Sequence, residues 1–273
     1  MGDAQKLKKM TLVVAIVISL VAIVISVVMC ATPTPAPAPV FRYSANRKVV
    51  SREFGHVSKI IHQTWDTIES IPPCCEPVIT NNLFLNPDWN YKFYSRDDRR
   101  RVIAEHFDAR ILAAFDKLPT STASADLFRN CVLFVYGGAY FDIKSACGRL
   151  TRTLEHAAGR LVYFKWPYGL GPNDHPHHAA TFLFWPAGHW VLKRVIDEIV
   201  RRIHISSPQQ INNFITLVTG PNVYSAVVCA HVPFEYMLYT DDYFENSFQH
   251  DGTGGEYYTY MKSRNMHWSQ QKS

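Results

Sequence analysis

Residues 124–142, SADLFRNCVLFVYGGAYFD, contain the change from helix to strand that decides the fold. Ser124 is predicted to cap a helix that runs through Val135, because its hydroxyl can accept a hydrogen bond from the first free backbone amides. Gly137 and Gly138 then supply the left-handed backbone that ends a helix. The residues that follow predict a strand, so Asp142 is expected at a strand end.

Asp126 and Arg129 stand three residues apart, so a helix places both side chains on one face. In open α/β sheets, ligands bind at the carboxyl ends of the strands, where an aspartate such as Asp142 can hold a divalent metal or bind sugar hydroxyls. A second interpretation stays open from these residues alone. It is a surface ion pair followed by an ordinary turn aspartate.

The chain after residue 52 alternates short apolar runs with amphipathic helices, which is typical of an α/β domain. Strands are predicted at Val57–Trp65, Trp89–Tyr94 and Arg160–Lys165. A further helix is predicted where apolar residues recur at helical spacing from Val191 to Ile203. We therefore expect one α/β domain over residues 53–273.

Residues 11–31 contain no charged side chain, and about 20 such residues cross the hydrocarbon core of a bilayer as a helix. Lysines precede this run, which puts the amino terminus in the cytoplasm. Alternating prolines after it favour an extended spacer. The predicted plan is a cytoplasmic tail (1–10), a transmembrane anchor (11–31), a proline-rich stem (32–52) and the α/β domain. This is a single-pass type II membrane protein, in a Golgi-type lumen if the source is eukaryotic. A cleaved signal peptide is the alternative, but its apolar region runs only about 7 to 15 residues.

The composition excludes several classes of protein. The 28 Lys and Arg against 23 Asp and Glu give a net charge of +5, which is too mild and too scattered to indicate a nucleic-acid partner. A hydrophobic fraction of 47% excludes a disordered chain. Six cysteines in 273 residues do not make a disulfide scaffold. In an oxidising compartment, Cys74 or Cys75 could still pair with Cys147 or Cys229.

Several motifs resemble the family 32 glycosyltransferases, the DXD-motif sugar transferases that include initiating mannosyltransferases and sphingolipid-modifying enzymes. The motifs stand in the family's order and cover about Val57 to Ser269. They are KIIHQTW at 59–65, ADLFR at 125–129, YGGAYFD at 136–142, PAGH at 186–189, TGP at 219–221 and HWS at 267–269. The resemblance implies a GT-A fold, a Rossmann-like domain that binds a nucleotide sugar. It also implies retaining transfer of a hexose from a UDP- or GDP-sugar donor to a glycan or glycolipid acceptor, with Mn²⁺ or Mg²⁺ as cofactor.

The resemblance also implies roles for individual residues. Trp65 would stack on the donor base, and Asp126 and Arg129 would contact the donor's hydroxyls and diphosphate. Asp142 would be the first acid of the DXD motif, and the C-terminal HWS element would close over the diphosphate. The implied donor-binding residues are His62, Gln63, Trp65, Asp126, Arg129, Gly137, Gly138, Trp268 and Ser269. The predicted catalytic residues are Asp142 and Arg129, together with Lys144, which departs from the family pattern, and the implied metal ligands are Asp142 and His267.

One position departs from the family pattern, because the motif reads Asp142-Ile143-Lys144 with a lysine in place of the second acid. A protonated lysine cannot ligate a metal, but its ammonium group could neutralise diphosphate charge. The sequence therefore leaves three outcomes open: weaker metal dependence, a metal held by Asp142, His267 and the donor phosphates, or loss of catalysis. We expect a glycosyltransferase. The alternatives are a catalytically silent relative that binds a glycan or nucleotide sugar, and a structural membrane-anchored domain that binds no nucleotide.

Overall fold

The computed structural model describes residues 56–163, 165–170, 176–178, 182–233, 236–239, 248–249 and 251–264. The described residues all belong to one unit, residues 49–273. The predicted tail, anchor and stem lie outside the described residues, as do His267, Trp268 and Ser269. Within the described ranges, no helix is both long and apolar enough to cross a membrane.

A mixed sheet of four strands lies at the centre of the domain. Its strands are β1 Ile60–Thr64, β2 Asn90–Tyr94, β3 Gly138–Phe141 and β8 Phe182–Trp185. The order is β2-β1-β3-β8, in which β1 runs parallel to both neighbours and β8 is antiparallel to β3. The parallel strands β1, β2 and β3 therefore end at the same edge of the sheet. The α/β class and the first two predicted strands are confirmed.

Shorter strands pair outside this sheet in the described part of the chain. The pairs are β4 Ala146–Cys147 with β10 Phe248–Gln249, antiparallel; β5 Leu161–Tyr163 with β9 Met237–Tyr239, parallel; and β6 Lys165–Leu170 with β7 Pro176–His178, antiparallel. The strand predicted at residues 160–165 corresponds to β5. The described cysteines Cys74, Cys75, Cys131, Cys147 and Cys229 form no disulfide, so the pairing considered for an oxidising compartment is not formed.

The α-helices of the described residues are α1 Glu76–Leu85, α2 Arg96–His106, α3 Ala109–Asp116, α4 Ser121–Tyr136, α5 Leu150–Ala157, α6 Trp190–Ile205, α7 Pro208–Asn213, α8 Ile215–Val218, α9 Pro221–His231 and α10 Glu256–Ser263. Single 3₁₀ turns lie at Ile68–Ser70 and Pro73–Cys75. Helix α6 packs against both α4 and α9, and the apolar faces of these three helices contribute about half of the larger core cluster.

Helix α6 confirms the periodicity argument. The apolar residues that the spacing singled out are all buried in the core: Val191, Leu192, Val195, Ile196, Ile199, Val200 and Ile203. Burial of one such side chain stabilises the fold by about 1.5–3 kcal/mol. The charged residues between them lie on the other face, where Lys193 pairs with Asp197 at 2.8 Å. The burial of one face thus explains why this stretch forms a helix.

Helix α4 carries the predicted site residues and begins four residues earlier than the sequence predicted. Thr120, not Ser124, is its N-cap, and the Thr120 hydroxyl accepts a hydrogen bond from the amide of Ala123. Ser124 lies within the helix, where its hydroxyl donates to the carbonyl of Ser121. Both candidates are hydroxyl residues, so the sequence pattern did not separate them. The predicted end is confirmed, because Gly137 has a φ of +65°.

Two asparagines, Asn82 in α1 and Asn86 directly after it, hold the chain segment 145–150, which follows the predicted site. Both side chains are buried, and each one both donates to and accepts from backbone groups of this segment. The bonds are Asn82 Nδ2 to Ser145 O at 2.8 Å, Cys147 N to Asn82 Oδ1 at 2.9 Å, Asn86 Nδ2 to Gly148 O at 3.0 Å and Leu150 N to Asn86 Oδ1 at 2.7 Å. These bonds fix the path of the chain after Asp142.

Candidate active site

Asp142 follows strand β3 directly, at the edge where the parallel strands of the sheet end. Gln63 on the neighbouring strand β1 donates from its side-chain amide to the carbonyls of Phe141 at 3.3 Å and Asp142 at 3.4 Å. Gln63 is itself buried, so these bonds hold the end of β3 in place. The structure thus puts Asp142 where α/β sheets bind ligands, and Gln63 supports it there.

Four charged side chains of alternating sign form a row at this edge, which we call the charge row: Asp126, Arg129, Asp142 and Lys144. Arg129 lies 2.7 Å from Asp126 and 3.7 Å from Asp142, and Lys144 Nζ lies 2.7 Å from Asp142 Oδ2. The side chains of Asp126, Arg129 and Lys144 are each less than one-tenth exposed, whereas 22% of the Asp142 side chain is exposed. The interpretation as a surface ion pair is therefore wrong, because a surface pair would be solvated.

Burial and ion pairing shift the pKa values of Asp126 and Arg129 in opposite directions. Burial raises the pKa of Asp126 to about 6, although Arg129 and the hydroxyl of Thr219 lower it. Burial alone would lower the pKa of Arg129, but Asp126, Tyr140 and Asp142 outweigh it and raise that pKa. Arg129 therefore stays charged in a nearly dry site. A fixed buried cation of this kind interacts strongly with an anionic ligand, since little water screens it.

Thr219 completes the surroundings of Asp126, and the sequence argument gave it no role. Its hydroxyl donates to Asp126 Oδ2 at 2.9 Å, and the side chain is 1% exposed. Tyr140 also belongs to the site, because its ring centroid lies 5.1 Å from the Arg129 guanidinium. The TGP and YGGAYFD motifs contained both residues. The motifs do not show that Thr219 and Asp126 are in contact, because the two residues lie 93 positions apart in the sequence.

The end of the row at Lys144 is fixed from its other side. The Lys144 ammonium lies 5.4 Å from the centroid of the Tyr257 ring, and the Lys144 carbonyl accepts a hydrogen bond from the Gly252 amide at 2.7 Å. The rings of Tyr257 and Trp65 meet edge to face at 6.2 Å. The structure thus brings Trp65 toward the charge row through Tyr257, whose role was not predicted.

His62, Gly137 and Gly138 lie elsewhere and hold strands together. His62 is fully buried; its ring nitrogens lie 3.0 Å from the Tyr94 hydroxyl and 2.8 Å from the Gly137 carbonyl. Burial lowers the pKa of His62 to about 4, so the ring stays neutral. Gly138 starts β3, about 13 Å from Asp142 at about 3.3 Å per residue. The geometry therefore gives these predicted donor-binding residues a structural role, and it does not bring them to the charge row.

The described residues do not fit a divalent metal at Asp142. Both carboxylate oxygens already face a cation, Arg129 on one side and Lys144 on the other. At about 4 Å and an effective dielectric constant of about 20, a lysine ammonium and a divalent cation repel each other by about 8 kcal/mol. Within the described ranges, no group of three or more His, Cys, Asp or Glu side chains could hold a metal ion. The predicted ligand His267 lies outside those ranges.

Comparison with known proteins identifies the class. Residues 76–155 match the family described as "Glycosyltransferase sugar-binding region containing DXD motif". The matched region contains the whole charge row and also Asn82 and Asn86, which fix the segment after it. Residues 76–155 therefore match the sugar-binding region of the DXD-motif sugar transferases, and the resemblance to family 32 is confirmed.

Two relatives make the likeness more specific. The chain is 29% identical over 156 residues to "Inositol phosphoceramide mannosyltransferase 3" of Schizosaccharomyces pombe, which covers 57% of this chain and 41% of that protein. It is 35% identical over 131 residues to "Inositol phosphoceramide mannosyltransferase 2" of the same organism, which covers 45% of this chain and 35% of that protein. The chain thus matches only about two fifths of the length of these relatives.

Among solved structures, the domain is similar to one titled "PaToxG Glycosyltransferase". The TM-score is 0.48 at 12% sequence identity, and the overlap covers 67% of this chain and 74% of that chain. A likeness of this degree adds nothing to the family assignment. The GT-A fold therefore stays a prediction from the resemblance of the motifs.

Proposed function

We propose that the chain is a retaining glycosyltransferase with a GT-A-type domain, which moves a hexose from a UDP- or GDP-sugar to a glycan or lipid acceptor. The observation that carries the proposal is the charge row, which lies at the carboxyl edge of the sheet and inside the family's sugar-binding region. Two relatives are named mannosyltransferases of inositol phosphoceramide. Mannose is therefore the first hexose to test, and a phosphoinositol sphingolipid is the first acceptor.

The charges of the row suit the chemistry of this reaction. In a front-face transfer, the acceptor oxygen bonds to the anomeric carbon while the bond from that carbon to the β-phosphate oxygen breaks. The acceptor's proton passes to the departing phosphate oxygen, so the products are the glycoside and a nucleoside diphosphate. Negative charge grows on the leaving group, and prearranged cations stabilise it. Arg129 and Lys144 are such cations, and Asp126 and Asp142 hold them in place.

The experiment measures nucleoside diphosphate release by the full-length chain, purified in detergent and offered UDP- and GDP-hexoses with and without acceptor lipid. Asp142→Asn should lower the rate by about 10²–10³-fold, because Lys144 and Arg129, the cations that would stabilise the leaving group, lose the carboxylate that holds them in place. The control is Asp197→Asn, which removes the charge of the aspartate that forms the partly exposed pair with Lys193 on α6. A rate with Asp142→Asn equal to that of the control would rule out this site.

A silent relative is the second candidate, and Lys144 is the observation that favours it, because this residue replaces the second acid of the motif. A silent relative would bind UDP or GDP and release no product from any donor. The same preparation separates the two proposals, since nucleotide binding is read by calorimetry and turnover by product release. Binding without turnover would support the silent relative.

We propose that the domain is carried on the type II anchor that residues 11–31 predict. The support is the uncharged run itself, with lysines before it. Protease protection of the full-length chain in sealed microsomes measures this orientation. The α/β domain should be protected and the amino-terminal tail digested, and the reverse pattern would refute the orientation.

A further inference from the structure

Position 144 is where this chain differs chemically from a motif of two acids. The lysine side chain there is 9% exposed, and its Nζ lies 2.7 Å from Oδ2 of Asp142. A buried ammonium group is retained only where charges or hydrogen bonds compensate for the loss of water. Lys144 has such compensation from Asp142 and from the face of the Tyr257 ring. Its charge therefore belongs to the folded site.

The backbone at Lys144 is held as firmly as the side chain. The Gly252 amide donates to the Lys144 carbonyl at 2.7 Å. Gly252 fits there because it has no side chain, since an added Cβ would lie 2.7 Å from the Cβ of Ala146. The cation thus has a fixed position relative to the end of β3. Preorganised charge of this kind needs no rearrangement when negative charge develops.

Asp142 has a correspondingly different role from that of a metal ligand. Oδ2 is bonded to Lys144 at 2.7 Å, and Oδ1 lies 3.7 Å from Arg129 and 3.5 Å from the Tyr140 hydroxyl. One carboxylate therefore serves two cations. The charges of the row sum to zero before a ligand arrives, so a diphosphate meets two cations whose positions are already set.

We propose that Lys144 supplies in this chain the positive charge that a divalent cation would supply at a two-acid motif, so that donor turnover does not depend on a metal ion. Asp142 then acts as the counter-ion that positions Lys144 and Arg129 toward the donor's diphosphate. This inference rests on the proposed function. It goes beyond that function because it names the source of the charge and removes the cofactor.

The experiment compares the full-length chain with Lys144→Asp, which restores the second acid. Nucleoside diphosphate release is measured in EDTA and after Mn²⁺ is added back. The rate of the unsubstituted chain should change by less than about twofold between the two conditions, whereas Lys144→Asp should lose about 100-fold in EDTA, the size of one lost electrostatic contact. Adding Mn²⁺ should then raise the rate of Lys144→Asp at least about tenfold above its rate in EDTA. Lys193→Asp, at a half-buried lysine of α6 far in sequence from the charge row, is the control and should show the same rate in EDTA and in Mn²⁺.

A second measurement does not depend on turnover. Binding of Mn²⁺ alone is followed by electron paramagnetic resonance and by thermal unfolding. Mn²⁺ should raise the unfolding temperature of Lys144→Asp and leave that of the unsubstituted chain unchanged, because a ligand stabilises only the state that binds it. If Lys144→Asp does not fold, Lys144→Gln serves instead. That variant should lose activity in EDTA and in Mn²⁺ alike.

The outcomes separate the two proposals. A rate that falls more than about tenfold in EDTA and returns with Mn²⁺ would overturn the inference and leave the proposed function standing. Absence of release from every donor under both conditions would count against the proposed function. In that case the Mn²⁺ measurement still decides, because an unsubstituted chain that binds Mn²⁺ as tightly as Lys144→Asp refutes the role of Lys144.

Discussion

Thr219→Val tests how much the buried charge row depends on a single hydroxyl. Valine keeps the shape of the side chain but removes the donor to Asp126 Oδ2, a bond of 2.9 Å at a position that is 1% exposed. A hydrogen bond to a charged group contributes about 1.5–3 kcal/mol, and no water can replace this one in a dry site. The free energy of unfolding should fall by that amount. For a domain of this size the loss lowers the unfolding temperature by about 3–12 °C.

The assay is urea unfolding of the full-length chain followed by tryptophan fluorescence, with Thr153→Val as the matched control. Thr153 is also 1% exposed, but its hydroxyl donates to a neutral carbonyl of its own helix, that of Arg149 at 3.3 Å. Loss of that weaker bond should cost less than about 1 kcal/mol. Both variants exchange a buried threonine for a valine. The difference between their free energies of unfolding therefore measures the effect of the charged acceptor, Asp126.

A double-mutant cycle assigns the effect to the pair. In an Asp126→Asn background, Thr219→Val should cost less than in the unsubstituted chain, with an interaction energy of about 0.5–3 kcal/mol. The reasoning is refuted if Thr219→Val destabilises no more than Thr153→Val. It is also refuted if the two substitutions at Thr219 and Asp126 are simply additive, because the hydrogen bond would then not be what stabilises the site.

Three further outcomes follow from the geometry. Gly138→Ala should abolish folding, measured as soluble yield and unfolding temperature, because an added Cβ would lie 2.4 Å from the Ile60 carbonyl oxygen at a φ of +108°. Gly188→Ala, at a φ of +69° with nothing within 4 Å, should cost only about 1–2 kcal/mol, and equal effects would contradict the argument. The free energy of unfolding should fall as the pH rises from about 4 to 6, because folding raises the pKa of Asp126 from 3.8 to about 6 and the folded chain therefore holds that proton more tightly. Asp126→Asn should flatten this dependence, and an unchanged slope would contradict it. Asn86→Ala should destabilise the fold by about 2–4 kcal/mol in urea unfolding, since it leaves buried backbone groups without their partners, and a loss below about 1 kcal/mol would be evidence against the role of this side chain.

The local elements could be predicted from the sequence because their causes are local. The apolar period of α6 and the double glycine after α4 each act within a few residues, and both predictions are confirmed. The N-cap of α4 was placed wrongly for a local reason too, since Thr120 and Ser124 are chemically alike.

The site could be predicted in part. Asp126, Arg129 and Asp142 meet as their spacing and the family resemblance suggested. Successive side chains of a strand point to opposite faces, and the sequence of β1 does not say which face adjoins the site. His62 and Gln63 were therefore assigned alike, although the structure uses them differently. The bond between Thr219 and Asp126 depends on how distant elements pack, which no short pattern contains.

Asn82 and Asn86, near the end of α1 and directly after it, act as detached peptide units. A side-chain amide has the same donor and acceptor as a backbone peptide group, so Asn82 and Asn86 offer the segment 145–150 what an adjacent strand would offer. All four of these bonds go to backbone groups of that segment. They therefore depend on the number of residues in the segment and do not themselves involve its side chains. Proline should not be tolerated at 147 or 150, because the backbone amide at each of these positions donates one of the bonds. Insertion of one residue should not be tolerated, because it would put donors opposite donors from that point onward.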